Sequence, residues 1–435
     1  MGSDAGAQPT DIAVIGGGAA GLAAAIFAAE ALPARTRYRI IVLEGATRLG
    51  AKILDSGGGR CNVTNACVTA GDFHGSQPVI RNILAAFDAR AAVGWFRSLG
   101  VELKEEAGGK LFPTTNRAKT VLDALVHRCR AVGVEICTQC RVTRIMWDSE
   151  AGDGLFTVQH AGGVLRTRRL VMATGGRSLP RSGSDGQGWE LVSRLGHSIT
   201  RIEPALVPLR LDPAMFHAEL SGVTQDVELT MIVDGKVMDR RVGSLLWTHF
   251  GISGPVVLDM SRFWTLAVAE GREVELQCHF LPGQDFQAVE QWLLSAARTR
   301  PTTPVSRVLA QRLPDRVAEA ICRTCGITSQ LSLAHLPAAQ RRMLVHRLTA
   351  FPLPVIAHRG WNYAEVTAGG VPLSEIDYRT MASRKVPGLF LVGEMLDCDG
   401  RIGGFNFQWA WSTGYVGGRG AAASLVKEDA DGGRQ

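Results

Sequence analysis

The sequence lacks features that would assign it to several common protein classes. It has no run of five basic residues and no basic stripe interleaved with aromatic residues, although its formal net charge is +6. We therefore expect no nucleic-acid partner. It also has no repeat of fixed period and no low-complexity tract. These absences argue against a solenoid and against a disordered chain.

A positively charged segment is missing from the beginning of the sequence. The first basic residue is Arg35, so the chain lacks the basic region that opens a secretory signal. Residues 12–29 carry no charge over a length that could suggest a membrane span, but their embedded glycines fit a nucleotide site better. Nine cysteines, an odd count, do not indicate a disulfide framework. We expect a soluble, cytoplasmic protein with no membrane association.

The cysteine spacings do not predict a metal site. Cys137 and Cys140 form one C-x-x-C pair, and Cys322 and Cys325 form another. Strand-like alternation in "VEICTQCRVTRI" would direct the first pair to opposite faces. No further Cys or His pair has the spacing that would complete a tetrahedral zinc site, so no metal is expected.

One stretch has the form strand, tight turn, helix. Residues 11–32 read "DIAVI", "GGGAAG" and "LAAAIFAAEAL", with Gly16, Gly18 and Gly21 in a G-x-G-x-x-G pattern. Backbone N–H groups at such a helix start can bind a pyrophosphate. The next apolar run, "YRIIVLE", ends at Glu44, where a carboxylate accepts the ribose hydroxyls of an adenosine. The pattern predicts a dinucleotide site without distinguishing FAD from NAD.

Two later strands favour FAD. "RRLVMATGGRS" ends in Ala173, Thr174 and Gly175, and "GLFLVGEML" ends in Gly393 and Glu394 before a glycine-rich turn into "FNFQWAWSTGYVGG". In two-segment flavin folds a C-terminal strand and helix complete the site. The acid then bonds the ribityl chain, and N–H groups at the helix start, here residues 404–406, face the flavin N1/O2 edge. Any other domain must be inserted between the two segments.

Long blocks of the sequence resemble the YhiN/BaiN-like family of FAD-dependent oxidoreductases, which also includes aminoacetone oxidase. These blocks are "GAKILDSGGGRCNVTN", "ATGGRSLPRSGSDGQG", "EPALVPL", "THFGISGP", "AEVTAGGV" and "GEMLDCDGRIGGFNFQWAWSTGY". The resemblance extends from about Asp11 to Ala421. It implies an α/β (α+β overall) glutathione-reductase-type FAD-binding fold with an inserted β domain and a small helical subdomain.

Changes in periodicity divide the chain further. Short alternating runs, with a hairpin turn at Asp234-Gly235, predict strands, and helical periodicity follows. The predicted divisions are an N-terminal FAD-binding Rossmann-type segment 10–195, an inserted β domain 196–282, a helical cap 283–350, a return strand of the β domain 351–363, a C-terminal FAD segment 364–424 and a tail 425–435.

The stretch "SGGGRCNVTN" is interpreted as a loop passing along the flavin, with glycines that let the backbone approach closely. Ordinary loop hydrogen bonds are the alternative for its polar side chains. The full predicted cofactor-binding set is Gly16, Gly18, Ala19, Ala20, Gly21, Glu44, Gly45, Lys52, Gly58, Gly59, Arg60, Cys61, Asn62, Thr64, Val142, Ala173, Thr174, Gly175, Gly393, Glu394, Gly403, Gly404, Phe405 and Asn406.

No side chain is assigned to catalysis, and two are weak candidates. His249 lies in the distinctive block "WTHFGISGP". Cys61 could form a redox pair with Cys67, as in flavin disulfide reductases. In regular helix, however, the two would lie about 9 Å apart along the axis, beyond disulfide reach. The chain also has no second strand-embedded G-x-G-x-x-G for NAD(P)H. Packing is therefore the preferred role for Cys61.

The sequence predicts an FAD-dependent oxidoreductase that moves a hydride between flavin N5 and a small organic substrate. Amine oxidation and enoyl or keto reduction both fit, with O2 or external NAD(P)H as the redox partner. One alternative is a sensor or RNA-associated protein with structural FAD. Another is a disulfide reductase-like enzyme using Cys61. The substrate and the oligomeric state are left open.

Overall fold

The computed structural model describes residues 9–33, 38–147 and 154–432, and the chain divides into two compact units. The first unit is Met1–Ile202 together with Val366–Gln435, and the second is Glu203–Glu365. Both ends of the chain thus belong to one unit, with the other inserted. The first unit ends at Ile202 and resumes at Val366, a few residues after the boundaries expected at 195 and 364.

A nine-stranded sheet forms the centre of the first unit. Its central strands are parallel, and their inner segments 12–15, 40–43, 170–172 and 389–391 are apolar and buried, as expected for strands covered on both faces. The main path runs through Ile376–Asp377, Ala382–Ser383, Leu389–Leu391, Gly163–Met172, Thr10–Ile15, Ile40–Leu43 and Glu135–Cys137. Two antiparallel strands, Val142–Trp147 and Phe156–His160, extend it from Gly163–Met172.

Seven helices surround this sheet within the described part of the first unit. They are Ala19–Ala31, Ala51–Gly59, Gln77–Ala86, Ala89–Ser98, Ala118–Ala131, Gln187–Ser193 and Phe405–Gly432. The uncharged stretch 12–29 is divided between the first strand and the first helix. None of the described helices combines the length and apolar character needed to cross a membrane.

Short strands complete the first unit. Thr64–Asn65, Lys110–Pro113 and Leu103–Glu106 form a three-stranded sheet, and Phe73–His74 pairs with Asp399–Gly400. Two local expectations differ from the structure. The last helix continues through residue 432, where a tail was expected from 425. Cys140 lies beyond the strand that contains Cys137, so strand alternation does not set its direction.

The second unit contains a seven-stranded antiparallel sheet. Its strand order is Phe351–Leu353, Val274–His279, Thr224–Val233, Lys236–Thr248, Gly251–Ser253, Leu209–Leu211 and Val355–His358. The hairpin predicted at Asp234-Gly235 is confirmed, since strands 224–233 and 236–248 pair around it. Asp234 has φ +49° and Gly235 φ +73°, as a two-residue hairpin turn requires. Two further short strands are Glu203–Ala205 and, in the first unit, Val366–Ala368.

Helices Phe286–Thr299, Val305–Leu309, Asp315–Thr324 and Ala338–Thr349 occupy the stretch where helical periodicity was predicted. A further helix, Pro255–Ala269, was missed because the surrounding alternation was interpreted as strands throughout. Its first residue is a proline, which suits a helix start because the missing N–H would have no intrahelical partner. Its buried residues, including Val256, Met260 and Trp264, recur with helical spacing.

The first and last helices of the first unit pack at very short range. A Cβ atom at Gly414 would lie 2.8 Å from the carbonyl oxygen of Ala20. A Cβ atom at Gly418 would lie 2.2 Å from the carbonyl oxygen of Ala24. Only glycine fits such contacts, because a side chain would overlap the backbone of the other helix.

Gly418→Ala should therefore lower the free energy of unfolding by about 1 to 3 kcal/mol, because the added methyl forces the helices apart. The control is Gly94→Ala in the exposed face of helix 89–98, where a Cβ atom would meet nothing within 4 Å. There the higher helix propensity of alanine should raise stability by roughly 0.5 to 1 kcal/mol. Urea unfolding followed by tryptophan fluorescence measures both. Equal effects of the two substitutions would contradict the close helix contact.

Candidate functional site

The glycines between the first strand and the first helix have different roles. Gly16 has φ +109°, and a Cβ atom at Gly21 would lie 1.9 Å from the Gly16 carbonyl oxygen. Gly21 thus permits close packing of helix and strand. Gly18 is the N-cap, has no capping side chain, and would place a Cβ atom in open space. The N–H groups of Ala19 and Ala20 therefore begin a helix beside free volume, an arrangement that suits a pyrophosphate.

Glu44 is fixed at the end of the second strand. Its Oε2 accepts the Gly17 N–H at 2.8 Å, and its Oε1 accepts the Ala46 N–H at 2.8 Å. Each carboxylate oxygen retains acceptor capacity for a ribose hydroxyl. A Cβ atom at the adjacent Gly45 would lie 2.8 Å from Cδ of Arg141. Glu44 and Gly45, which belong to the predicted cofactor set, therefore lie next to Arg141, a residue outside that set.

Eleven buried side-chain atoms lack hydrogen-bond partners within the described chain, and two of these atoms bear on the predicted cofactor site. These two are Oγ1 of Thr174, at the end of strand 163–172, and Oδ1 of Asn62, after the glycine stretch. An unsatisfied buried polar atom costs about 1 to 3 kcal/mol, so native proteins normally pair it with water or ligand. Both residues belong to the predicted cofactor set. The orphaned atoms and the free space at Gly18 fit a bound dinucleotide.

The run Gly57–Gly59 forms a left-handed turn at the end of helix 51–59. The φ angles of Gly57, Gly58 and Gly59 are +57°, +67° and +82°. Side-chain residues rarely adopt such angles, and at Gly58 a Cβ atom would meet nothing within 4 Å. The next residue, Arg60, bonds the Glu106 carboxylate at 3.0 Å and lies 4.1 Å from the Phe112 ring centroid. Its assignment to the cofactor stays a prediction.

Cys61 is fully buried and has an unfavourable φ of +62°. Burial raises the pKa of the Cys61 thiol to about 12. A nucleophilic or redox-active cysteine acts as the thiolate, which this environment disfavours at neutral pH. Cys67 is exposed, and both cysteines are free thiols. The environment of Cys61 favours packing over the disulfide reductase-like alternative.

A charged network connects four segments of the first unit, at residues 52, 178, 367 and 394. Lys52 Nζ donates to Glu394 Oε2 at 2.6 Å and to Ser178 Oγ at 2.7 Å. Glu394 Oε1 accepts the Ser178 hydroxyl at 2.9 Å and the Thr367 N–H at 3.0 Å. The Lys52–Glu394 pair is only partly exposed. One of the three ammonium hydrogens of Lys52 remains available to a ligand.

The C-terminal segment meets the start of the first helix. Gly393 has φ +75°, and a Cβ atom there would lie 2.7 Å from Cβ of Ala20. Its N–H donates to Thr413 Oγ1 at 2.9 Å, and its carbonyl accepts the Trp409 indole N–H at 3.2 Å. The last helix therefore fixes Gly393 beside the residues that begin the first helix.

The loop before the last helix contacts the strand after the glycine stretch. A Cβ atom at Gly404 would lie 2.5 Å from the Thr64 carbonyl oxygen. The Thr64 hydroxyl donates to Gln408 Oε1 at 2.6 Å, so it joins the two segments. Asn406 closes the loop by bonding both the N–H and the carbonyl of Gly400. Phe405 is buried, and the Gly403 carbonyl accepts a bond from Asn65.

Val142 and Ala173 are also buried, while Gly175 takes a positive φ of +74°. His249 is in the second unit, exposed in the turn before strand 251–253, where its ring meets Phe250 edge-on at 5.1 Å. Its catalytic role stays a prediction.

Sequence reasoning missed several residues of this region. Ser178 and Thr367 hold the Glu394 carboxylate, and Gln408 anchors Thr64. All three lie in blocks that carried the family resemblance, "ATGGRSLPRSGSDGQG", "AEVTAGGV" and "GEMLDCDGRIGGFNFQWAWSTGY". A polar residue within such a block was the feature of the sequence that could have identified these three positions.

Four features together define a Rossmann-type FAD-binding fold. They are the parallel strands at the centre of the sheet, the glycine turn without a capping side chain, the carboxylate at a strand end, and the C-terminal segment that packs beside that turn. Residues 10–420 match the family described as HI0933-like protein Rossmann domain. The chain belongs to this family of FAD-dependent oxidoreductases. The predicted family and fold class are confirmed.

Characterised relatives span nearly the whole chain. The chain is 32% identical over 412 residues to a 3-dehydro-bile acid delta(4,6)-reductase of Clostridium scindens, covering 94% of this chain and 98% of the relative. It is 32% identical over 409 residues to a ribosomal RNA dihydrouridine synthase of Escherichia coli, covering 93% and 96%.

Solved structures share the fold at low sequence identity. A 3-ketosteroid-delta4-(5alpha)-dehydrogenase from Rhodococcus jostii has a TM-score of 0.50 and 16% identity, covering 97% of this chain and 98% of that one. A 3-ketosteroid delta1-dehydrogenase from Sterolibacterium denitrificans has a TM-score of 0.52 and 12% identity, covering 96% and 100%. These likenesses support the fold alone.

Gly18→Val tests the open space at the helix start. Because a Cβ atom there meets no protein atom within 4 Å, the variant should fold with stability within about 0.5 kcal/mol of the parent. Its side chain should block the pyrophosphate approach and abolish flavin copurification. Gly94→Val, remote in sequence and also unobstructed, should keep the flavin. A fully flavin-loaded Gly18→Val protein would refute the assignment.

Glu394→Ala should weaken FAD binding by about 1 to 3 kcal/mol, because it removes an acceptor and releases Lys52 and Ser178 from their positions. Lys52→Met should also weaken it. Lys119→Met removes an exposed lysine paired with Asp123 and should have no effect. FAD titration into deflavinated protein measures each affinity. A Glu394→Ala protein that binds FAD with the affinity of the parent would contradict a role for this network in FAD binding.

Proposed function

We propose that this enzyme reduces a carbon–carbon double bond conjugated to a carbonyl group in a small organic substrate, with FAD as its redox cofactor. The observation that carries the proposal is the chemistry named for its relatives. A delta(4,6)-reductase of 3-dehydro bile acids acts on double bonds conjugated to a 3-oxo group. Formation of dihydrouridine saturates the ring double bond of uracil, which is likewise conjugated to a carbonyl. Both relatives match this chain almost from end to end.

The reaction defines what the protein must supply. A hydride adds to the β-carbon, the electron pair moves to the carbonyl oxygen, and a proton adds to the α-carbon. When bound, FAD supplies the hydride chemistry at N5. The protein's own tasks are to align the substrate, stabilise developing negative charge and provide a proton.

Charge stabilisation is the task best supported by the first unit. Glu394 and Ser178 hold the Lys52 ammonium in a fixed, partly buried position. The backbone at the start of the last helix, residues 404–406, is held by contact with Thr64 and by the Asn406–Gly400 bonds. With FAD bound, this fixed cation and these preorganised N–H groups would stabilise developing negative charge, because they need no rearrangement as that charge forms.

The proton donor and the electron donor are parts of the same proposal. His249 is the candidate proton donor, since imidazole is a common general acid and this ring is exposed. NAD(P)H is the proposed external reductant. The chain has one strand-embedded dinucleotide pattern, so the nicotinamide cofactor would act from solution.

Reoxidation of reduced flavin tests the reaction class. Photoreduced enzyme should be reoxidised under anaerobic conditions by an α,β-unsaturated ketone such as a 3-oxo-4,6-diene steroid, giving a product two hydrogens heavier. The matching saturated ketone is the control. NADH and NADPH should each be tried for reduction of the oxidised flavin.

Anaerobic mixing of oxidised enzyme with aminoacetone tests the opposite reaction, the oxidation of an amine. Rapid bleaching of its flavin by the amine, with no reoxidation by any unsaturated ketone, would replace the reductase proposal with amine oxidation.

Uridine in ribosomal RNA is a second candidate substrate, because two relatives carry that activity in their names. The second, from Haemophilus influenzae, is 30% identical over 411 residues. Reduced enzyme should be incubated separately with ribosomal RNA lacking dihydrouridine and with uridine. Dihydrouridine formed in the RNA, without reduction of small unsaturated ketones, would favour this candidate over the small-molecule substrate.

A further inference from the structure

Arg359 stacks against two aromatic rings in the second unit. Its Cζ lies 4.1 Å from the ring centroid of Phe250 and 3.7 Å from that of Tyr363. Its backbone N–H donates to the Pro208 carbonyl at 2.9 Å, which fixes the start of the side chain. At these distances the ring faces attract the guanidinium electrostatically. The cation is therefore held in one place without a carboxylate.

The guanidinium N–H groups of Arg359 have no hydrogen-bond acceptor within the described residues. Two other stacked arginines differ, since Arg60 also bonds Glu106 and Arg312 also bonds Gln284, whereas Arg347, Arg379 and Arg419 each stack on one ring only. Aromatic faces attract the charge but provide no strong acceptor for the five guanidinium N–H donors. Arg359 is half-buried, so part of its donor edge is reachable from solvent. A ligand oxygen would satisfy that edge.

The surroundings of Arg359 suit an anionic ligand. Tyr363 is 48% exposed, so its ring is accessible to a ligand. The exposed His249 lies against Phe250 on the same cluster. Arg210, also exposed, occupies the strand that pairs with both residue 357 and residue 251, and it adds positive charge to this end of the sheet.

We propose that Arg359 binds an oxyanion, a carboxylate or a phosphate monoester, while Phe250 and Tyr363 contact the flat or apolar part of the same ligand. The guanidinium fork matches two oxygens of such a group, and its stacking reduces the ordering needed on binding. The proposed oxyanion site is independent of the proposed reductase function.

Calorimetric titration of the oxidised, flavin-loaded full chain, without any electron donor, separates binding from turnover. The probes are 2-naphthoate with its methyl ester, and uridine 5′-monophosphate with uridine. At least one anion should bind about tenfold or more tightly than its neutral partner. A preference for naphthoate identifies a carboxylate site, and a preference for the nucleotide identifies a phosphate site.

Arg359→Gln should abolish the preference for the anion, and Arg359→Lys should retain only part of it because lysine lacks the fork. Tyr363→Leu should weaken anion binding through loss of one ring. Arg298→Gln, which removes an exposed helical arginine in the same unit, should change nothing. Equal flavin content in all variants excludes misfolding as the cause.

Anion binding that Arg359→Gln leaves unchanged would overturn the proposal, as would equal binding of charged and neutral probes or no binding at millimolar concentration. Arg359-dependent anion binding in an enzyme that reduces no unsaturated ketone would support the site and contradict the reductase function.

Discussion

The close packing of the first helix against the last is the contact on which the rest of the first unit depends. It joins residues almost four hundred positions apart, and it requires glycine at 414 and 418 because the backbone of helix 19–31 leaves no room for a side chain. Each glycine within a helix costs roughly 0.5 to 1 kcal/mol relative to alanine. That cost is offset by a geometry that sets Gly393 beside Ala20. Segments from both ends of the chain thus meet at the predicted cofactor site.

Within that frame, polar and apolar groups have separate tasks. The Lys52–Ser178–Glu394 network occupies a partly exposed position, where its charges remain available to a ligand. Cys61 lies in the interior, where burial raises the pKa of its thiol. Thr64 is also buried, but its hydroxyl is paired with Gln408. The side chains of Cys61 and Thr64 therefore serve packing within the first unit.

The second unit has its own core, built where the antiparallel sheet meets helix 255–269 and the four helices that follow. A separate core allows surface residues of the insertion to vary while the cofactor unit keeps its structure. Arg359, Phe250 and Tyr363 belong to this inserted unit. The proposed oxyanion site accordingly lies in the insertion.

The sequence by itself determined the features that depend on neighbours along the chain. The strand, turn and helix around Gly16–Gly21, the strand ending before Glu44 and the hairpin at Asp234-Gly235 follow from local periodicity and glycine placement. Helix 255–269 was missed because its apolar run fits either period until the sheet beneath it is known. Only the tertiary structure decided that Lys52 meets Glu394 and that Thr64 meets Gln408. Those pairs are separated by more than three hundred residues, and no local preference selects such a partner.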